Sequence, residues 1–184
     1  MHMTKSLVGQ LLIANPSNPK DSLEGSVILI VTHNSDMTLG LQINRPMVDI
    51  DLRAVSEQIG VFLDVDDPIY FGGTLNNNKI HVIHSNDWTG LTSVKISKDL
   101  SLTNDLSVLA AIAANEGPEY FKACAGFWAW EPMQLENQLD NKNNKVKYRW
   151  ELVKASSDLV FNTDLDHWHT AMQVAAKHKI SSWF

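Results

Sequence analysis

The amino-acid sequence predicts an α+β fold with a mixed or antiparallel sheet. Short strand-like segments dominate, and most end at Asn, Asp, Gly or Pro residues, which favour turns. Helical patterns lie between the strands without a regular strand–helix–strand rhythm. Neighbouring strands that follow one another closely can pair antiparallel, so this order favours α+β over a parallel α/β architecture.

The strand predictions come from apolar or β-branched runs bounded by turn residues. In chain order they cover residues 10–14, 27–32, 38–43, 69–71, 80–84, 94–96, 100–102, 120–127, 146–153 and 159–161. The apolar run 27–31 has the length of a strand and is far shorter than the roughly 20 residues that cross a bilayer. No membrane span is therefore expected.

The helix predictions cover residues 52–59, 105–115, 132–140 and 165–178. The second helix is expected to end at Gly117 and Pro118, because Gly can take a left-handed conformation and Pro prevents continuation. Pro132 suits the first turn of the third helix. Thr163 is the expected N-cap of the last helix, whose apolar residues share one face suited to packing on a sheet.

The composition indicates a single domain spanning residues 1–184. The chain is 44% hydrophobic and 20% charged, and its 184 residues suffice for a sizeable core. Residues 1–3 are expected to be an expression remnant or a disordered end.

Cys124 is the only cysteine, which excludes an intrachain disulfide and fits the reducing cytoplasm. The N-terminus lacks a signal-peptide pattern, so a cytoplasmic protein is expected.

Two turns carry residues that could contact a ligand. His33 is followed by an Asn-Ser-Asp turn, but no nucleophile elbow is present and adjacent turn residues do not converge as a triad. Gly72 and Gly73 permit a tight turn, yet neither a dinucleotide fingerprint nor a P-loop surrounds them. His81 and His84 would point to opposite faces of a strand, and His167 and His169 to different sides of a helix, so neither pair is expected to bind a metal ion. No catalytic residue, cofactor or metal site is predicted.

The basic segment 142–149 is the strongest local charge signal. If its end is a strand, Lys145, Lys147 and Arg149 share one face, where they could neutralise nucleic-acid phosphates. Half-buried strands also commonly expose such a face to water, and the net charge of −6 disfavours polyanion binding. Both interpretations stay open.

Several motifs follow one another in a recognisable order along the chain. They are Leu11-Leu12-Ile13-Ala14-Asn15-Pro16, His33-Asn34, Gly40-Leu41-Gln42-Ile43-Asn44-Arg45-Pro46, Gly72-Gly73, His84-Ser85, Leu102-Thr103, Gly117-Pro118, Gly126-Phe127, Gln134-Leu135-Glu136, Trp150 and Trp168. This order resembles the AlgH/YqgE family of bacterial proteins over residues 7–180.

The resemblance implies a strongly bent sheet, a pseudo-barrel, flanked by about four helices. It supplies no catalytic residues, and the family name carries a role in transcriptional regulation. The chain departs from the family at Ala129, Glu131 and Met133, which stand at glycine positions, so no open-backbone site is expected there. Residues 141–149 are expected to be a surface insertion, because this segment is longer than in the family.

The leading functional hypothesis is a non-catalytic binding or regulatory protein whose partner is an unknown protein or small molecule. Loops tend to carry function, so a shared surface or cleft is expected near the turns that bear the resemblance. The residues concerned are His33, Asn44, Arg45, Gly72, Gly73, His84 and Gln134.

Two alternatives belong to other functional classes. One is a hydrolase-like enzyme in which His33 would act as the base for the nucleophile Ser85, since His84 points away from its neighbour on a strand. The other is a nucleic-acid binder that uses Lys145, Lys147 and Arg149. The oligomeric state stays open.

Overall fold

The computed structural model describes residues 5–140 and 146–182. Within them the strands are β1 (Gln10–Ala14), β2 (Val27–His33), β3 (Thr38–Gln42), β4 (Pro46–Asp51), β5 (Pro68–Phe71), β6 (Leu75–Ser85), β7 (Val94–Lys95), β8 (Leu100–Thr103), β9 (Phe121–Trp130) and β10 (Trp150–Lys154). The helices are α1 (Leu52–Gln58), α2 (Ser107–Ala113), α3 (Gln134–Leu139), α4 (Ser157–Phe161) and α5 (His167–Ser181). The expectations for residues 1–3 and for Lys145 fall outside the described residues.

The strands form a curled sheet in the order β10-β1-β2-β3-β9-β6-β8-β7, with antiparallel neighbours. β5 adds to β9 in parallel, with Tyr70 opposite Cys124, and β4 pairs antiparallel with β5. The predicted α+β fold with a strongly bent mixed sheet and flanking helices is confirmed. Among the described residues there are five helices, α4 being the one not predicted.

Apolar side chains cover both faces of the central strands. In β1, Leu11 and Ile13 pack with α4 and α5 on one face, whereas Leu12 packs in the cluster that contains Leu135 of α3. A third cluster joins the β5, β6 and β9 part of the sheet to α1 and α2, where Val108 is fully buried. Burial on both faces explains why these strands are continuously apolar in sequence.

Residues 159–161, predicted as a strand, belong to helix α4. Ser156 precedes the helix with extended backbone, and its hydroxyl accepts a hydrogen bond from the Leu159 amide at 3.2 Å. Asp158 adds a carboxylate to the first turn. A short apolar run does not distinguish a strand from a buried helical turn, and here the N-cap decides the outcome.

β4 and the start of β10 also differ from the prediction. β4 was not predicted because its side chains are largely exposed, including Val48 at 93%, and no apolar run marks it. The strand predicted over 146–153 begins only at Trp150. Before it, the Arg149 amide donates to Asn18 Oδ1 at 2.8 Å, and Asn18 Nδ2 donates to the Arg149 carbonyl at 2.9 Å. The Asn15 amide also donates to the Arg149 carbonyl, at 3.1 Å, so the backbone pairing that begins at β10 ends at this residue.

Two helix ends use other residues than those predicted. After α2, Asn115 takes the left-handed conformation with φ of 57°, rather than Gly117. α5 is capped by Asp166 instead of Thr163, because Asp166 Oδ1 accepts a hydrogen bond from the His169 amide at 3.0 Å. The residue types at both caps are ones that commonly fill these positions.

Helix α3 begins after a residue with unfavourable backbone geometry. Met133, at the N-cap, has φ of 62°, in the left-handed region that residues with a Cβ seldom adopt. Pro132 therefore lies ahead of the helix and not in its first turn, contrary to expectation. Glycine, which the resemblance implies at this position, adopts such a conformation readily.

Met133→Gly is expected to raise the free energy of unfolding by about 1 kcal/mol, because glycine adopts positive φ without a Cβ clash. Met133 is 56% exposed, so little packing is lost. Ala129→Gly is the matched control: it also restores a family glycine, but in extended β9 opposite Leu39, and should lower the free energy of unfolding by about 1 kcal/mol. Urea denaturation measures both variants. Destabilisation by Met133→Gly would contradict the assigned strain.

Candidate functional site

A cleft of about 580 Å³ opens between β4, α1 and the outer part of β6, and we call it the α1–β6 cleft. Its volume lies within the range of roughly 300–1,000 Å³ that small-molecule sites occupy. The lining residues are Met47, Ile50, Val55, Gln58, Ile59, Ile69, Asn77, Asn78, Lys79, Ile80, Asn104, Leu106 and Ala125.

An irregularity in β6 builds one wall of the cleft. Residues 76–79, an irregular stretch inside strand β6 that we call the β6 loop, have only Gly126 of β9 between the paired positions opposite them. The register between β6 and β9 therefore shifts between Leu75 and Ile80, and Asn77, Asn78 and Lys79 of the surplus stretch line the cleft. Gly126 has φ of 72°, a conformation that glycine adopts readily.

Helix α1 forms the opposite wall. Asp51 Oδ1 accepts a hydrogen bond from the Ala54 amide at 2.8 Å and so caps the helix. Leu52 is fully buried in the cluster beneath α1 and α2, which fixes the orientation of the helix. Val55 and Ile59 then line the cleft.

The cleft combines an apolar floor with a polar rim. Ile69, Ile80 and Ala125 come from the sheet beneath it. The polar side chains are Gln58, Asn77, Asn78, Lys79 and Asn104. Within residues 5–140 and 146–182, none of these polar side chains makes a hydrogen bond or ion pair to the protein. Their donors and acceptors are therefore open to solvent or a ligand.

Other asparagines of the chain are used to hold the backbone. Asn34 Oδ1 accepts hydrogen bonds from two amides of its own turn. Asn44 accepts from the Val27 amide at 3.0 Å and donates to the Gly25 carbonyl at 2.8 Å. Asn86 Nδ2 donates to two backbone carbonyls. The unused amides of the cleft differ from these structural ones.

Of the sequence-predicted residues, His33 and Gln134 lie at the contact between α3 and the sheet. The Leu7 amide donates to His33 Nδ1 at 3.0 Å, so the ring proton is on Nε2, which donates to Glu136 Oε1 at 2.7 Å. Gln134 Oε1 accepts a hydrogen bond from the Glu131 amide at 2.8 Å. Both side chains therefore stabilise the position of α3 and of the turn before it.

Asn44 and Arg45 line a second cleft, of about 470 Å³, together with Asp21 and Glu24. The Asn44 amide is occupied by its two backbone bonds. Arg45 is exposed, and its guanidinium lies 4.8 Å from the centroid of the Phe71 ring. Arg45 is thus the member of this pair that has a side chain free to meet a ligand.

Gly72 and Gly73 allow the connection between β5 and β6 to approach β9. A Cβ on Gly73 would overlap the backbone of Phe127, and a Cβ on Gly72 would overlap the carbonyl oxygen of Gly126. The Gly72 amide donates to the Ala125 carbonyl at 2.8 Å. The backbone of β9 therefore occupies the space that these glycines leave.

His84 is fully buried, so the seven sequence-predicted residues do not share one cleft. Its Nδ1 donates to the Ser85 carbonyl at 2.8 Å, and its Nε2 accepts from the Ser93 hydroxyl at 3.0 Å. The ring also meets Trp88 edge to face, with 5.1 Å between centroids. These contacts use both ring nitrogens for structure.

The hydrolase hypothesis paired His33 with Ser85, and the structure places them at opposite ends of β9. His33 pairs with Thr38, which is opposite Trp130 at the end of β9. Ser85 Oγ accepts a hydrogen bond from the Tyr120 amide, just ahead of β9. β9 has 10 residues, or roughly 30 Å of extended chain. His33 therefore cannot act as the base for Ser85, and that pairing is wrong.

Lys147 and Arg149 do not share a strand face as predicted, because β10 begins only at Trp150. Lys145, the third member of that face, lies outside the described residues. Lys147 Nζ lies 3.4 Å from Asp21 Oδ2. The Tyr148 hydroxyl donates to the same carboxylate at 2.6 Å, and this bond is the main reason that the pKa of Asp21 is lowered. Lys147 thus already has an anionic neighbour.

Sequence reasoning missed a buried lysine in β9. Lys122 is 3% exposed, its Nζ donates to the Ile43 carbonyl at 3.0 Å, and it lies 4.1 Å from the centroid of the Tyr70 ring. Burial lowers the pKa of Lys122 to about 8 and raises the pKa of the Cys124 thiol to about 12. The sequence feature that could have revealed this buried lysine is its isolated position in the otherwise apolar run 120–127.

Two imidazoles, of His81 and His167, each have one buried nitrogen without a partner. Among the described residues, nothing forms a hydrogen bond with Nε2 of either ring. Burial is the first cause that lowers the pKa of both rings, followed for His167 by the charge of Lys122. Across the described ranges, no three His, Cys, Asp or Glu side chains converge as metal ligands would.

Comparison with known proteins identifies the family. The profile of a family described as AlgH-like matches residues 11–178. The chain belongs to the AlgH-like family. It is similar to a UPF0301 protein of Sphingopyxis alaskensis, with 31% identity over 157 residues, 84% of this chain and 81% of that one. A UPF0301 protein of Methylococcus capsulatus is 32% identical over 170 residues, 91% of this chain and 90% of that one.

Solved structures share the fold of this AlgH-like protein. The solution structure of AlgH from Pseudomonas aeruginosa matches with a TM-score of 0.71 and 28% identity, over 95% of this chain and 92% of that one. A crystal structure from Corynebacterium diphtheriae matches with a TM-score of 0.72 and 21% identity, over 94% and 89% of the two chains, which bears on the fold alone. In the part of the chain that the structure describes, no helix has the length and hydropathy to span a bilayer.

The buried Lys122 of this AlgH-like protein predicts a pH-dependent stability. Its pKa is about 8 in the folded state and about 10.4 when unfolded, so between these values the unfolded chain binds more protons. The free energy of unfolding should therefore rise with pH across this window, by about 3 kcal/mol from this residue.

Lys122→Met should remove that rise, and Lys95→Met, at an exposed lysine of β7, should keep it. Urea denaturation at pH 7.5 and pH 10 measures the difference for each protein, so that titration of other groups cancels in the comparison. An equal rise in the parent and in Lys122→Met would show that Lys122 is not the group responsible.

Proposed function

We propose that this AlgH-like protein is a non-catalytic, regulatory binding protein of the cytoplasm, and that it holds a small ligand in the α1–β6 cleft. The observation that carries the proposal is a concave site of about 580 Å³ with an apolar floor and unpaired polar side chains on its rim. Small-molecule sites combine these features, because apolar area supplies affinity and a few polar groups supply orientation.

The chemistry of the lining supports binding rather than catalysis. General acid–base or nucleophilic catalysis needs a titratable group beside a reacting one. The lining residues supply amides, aliphatic side chains, a thioether and the ammonium of Lys79. The Cys124 thiol, whose pKa burial raises to about 12, is closed off from solvent and remains protonated at neutral pH. It therefore offers no alternative nucleophile.

A regulatory role follows from where the ligand would lie. It would connect α1 to the β6 loop, two exposed elements on opposite sides of the cleft. A bound ligand would add its own atoms to the surface between these two elements, so a partner protein that meets this surface could distinguish the bound protein from the free one. The transcriptional role that the family name carries would be exerted through such a partner.

Arg45 marks a second candidate binding position, since its side chain is exposed at the polar cleft that it shares with Asp21 and Glu24. Nucleic-acid binding has less support. Lys147 is paired with Asp21, and the remaining basic residue of that stretch within the described ranges, Arg149, is partly buried with its backbone bound to Asn18.

Filling the cleft should abolish binding of a small apolar probe. Octan-1-ol is expected to bind with a Kd of about 0.1–1 mM, given the free energy of burying an eight-carbon chain in part. Val55→Trp should weaken this binding at least about tenfold, because the indole occupies the cleft. Val48→Trp makes the same change at a 93% exposed position outside the lining and should bind as the parent does.

Protein-observed NMR titration measures these affinities and also reports whether each variant is folded. If Val55→Trp does not fold, Ile59→Trp makes the same test from a 46% exposed position of the lining. Equal octan-1-ol binding by the Val55 and Val48 variants, or no saturable binding by the parent, would rule out the cleft as the site.

A further inference from the structure

We infer that the ligand of the α1–β6 cleft has an apolar chain that ends in an anionic group, a carboxylate or a phosphate, held at Lys79. The inference rests on the proposed binding function and specifies the class of ligand. It combines three independent properties of the lining: the sign of its charge, the unused donors on its rim and the apolar floor.

The charge of the lining is opposite to that of the whole chain. The sequence has 21 acidic and 15 basic residues, yet Lys79 is the charged residue of the cleft lining and no carboxylate belongs to it. Of the acids next to lining residues in the sequence, Asp51 caps α1 through the Ala54 amide and Asp105 accepts from the Ser107 amide, while Asp49 and Glu57 are exposed outside the lining. Among the lining residues, a cation would meet only the like charge of Lys79, whereas an anion would meet an opposite charge.

The rim supplies donors that an anion needs. Asn77 and Asn78 neighbour Lys79 in the β6 loop, and Asn104 lines the same cleft. Each amide offers two N–H donors, and none of them is used within the described protein. Hydrogen bonds to an ionised acceptor are the stronger kind, so these amides favour a carboxylate or phosphate over an alcohol.

An anionic group alone would not cover the apolar floor of the cleft. Ile69, Ile80 and Ala125 lie beneath the rim, and Val55 and Ile59 line the wall. A free inorganic phosphate would leave this apolar surface in contact with water and gain nothing from it. A hydrocarbon chain covers the surface, at roughly 25 cal/mol per Å² of apolar area removed from water.

The test compares four probes that share one eight-carbon chain: octanoate, octyl phosphate, octan-1-ol and octylammonium. NMR titration at neutral pH and low ionic strength gives the Kd of each. At least one of the two anions should bind about tenfold more tightly than octan-1-ol, the gain expected for hydrogen bonds to a charged group. Octylammonium should bind more weakly than octan-1-ol. Comparing octanoate with octyl phosphate shows which anionic group the rim prefers.

Lys79→Gln should reduce the advantage of the preferred anion over octan-1-ol to less than about twofold, because the opposite charge is gone while donors remain. Lys95→Gln removes the same charge from an exposed position of β7 outside the lining and should leave the advantage unchanged. Added salt should diminish the advantage in the parent, since the site is open to solvent.

The possible outcomes separate the two claims. Saturable octan-1-ol binding that Val55→Trp removes, without preference for either anion, would overturn the anionic ligand and leave the binding function standing. An anion preference that Lys79→Gln retains would overturn the assignment to Lys79. If none of the probes binds the parent protein, both the ligand class and the proposed function are refuted.

Discussion

The fold depends on β9, which is paired on both sides and changes its partner in the middle. Its first part lies between β6 and the parallel β5, and its second part pairs with β3. The change occurs at Gly126, with φ of 72°, beside Gly72 and Gly73. Side chains at these glycines would overlap backbone atoms. Because glycine has no side chain, the strands approach one another closely here, and the two parts of the sheet join in one curled surface.

The same irregularity creates the α1–β6 cleft. Where β9 bends at Gly126, the facing β6 contains residues 76–79, which cannot all join the ladder. They form a bulged stretch of β6 with exposed side chains, while Ala125 and Ile80 continue the regular sheet beneath. The polar rim and the apolar floor therefore arise from one local mismatch in strand length, and the candidate site is tied to the constraint that shapes the whole sheet.

The sequence predicted those features that local pattern determines. Continuous apolar runs located β1, β2 and β9, and the resemblance to a known family implied the bent sheet. Local pattern was insufficient for α4, where the Ser156 cap decides, and for β4, whose exposed strand has no apolar run. The cleft was missed because its lining comes from segments far apart in sequence, and the asparagine run before Lys79 has no distinctive meaning until β6 is seen to leave the ladder.

Two lysines without a carboxylate partner show how the position in this fold decides what a charge can do. Lys122 is enclosed, so the Ile43 carbonyl and the Tyr70 ring must compensate its charge, and burial lowers its pKa to about 8. Lys79 is exposed at the cleft, and within the described residues it has no protein partner. Water around Lys79 can be exchanged for a ligand's anionic group, whereas contacts inside the sheet cannot. The proposed recognition of an anion is therefore assigned to the β6 loop rather than to the buried lysine.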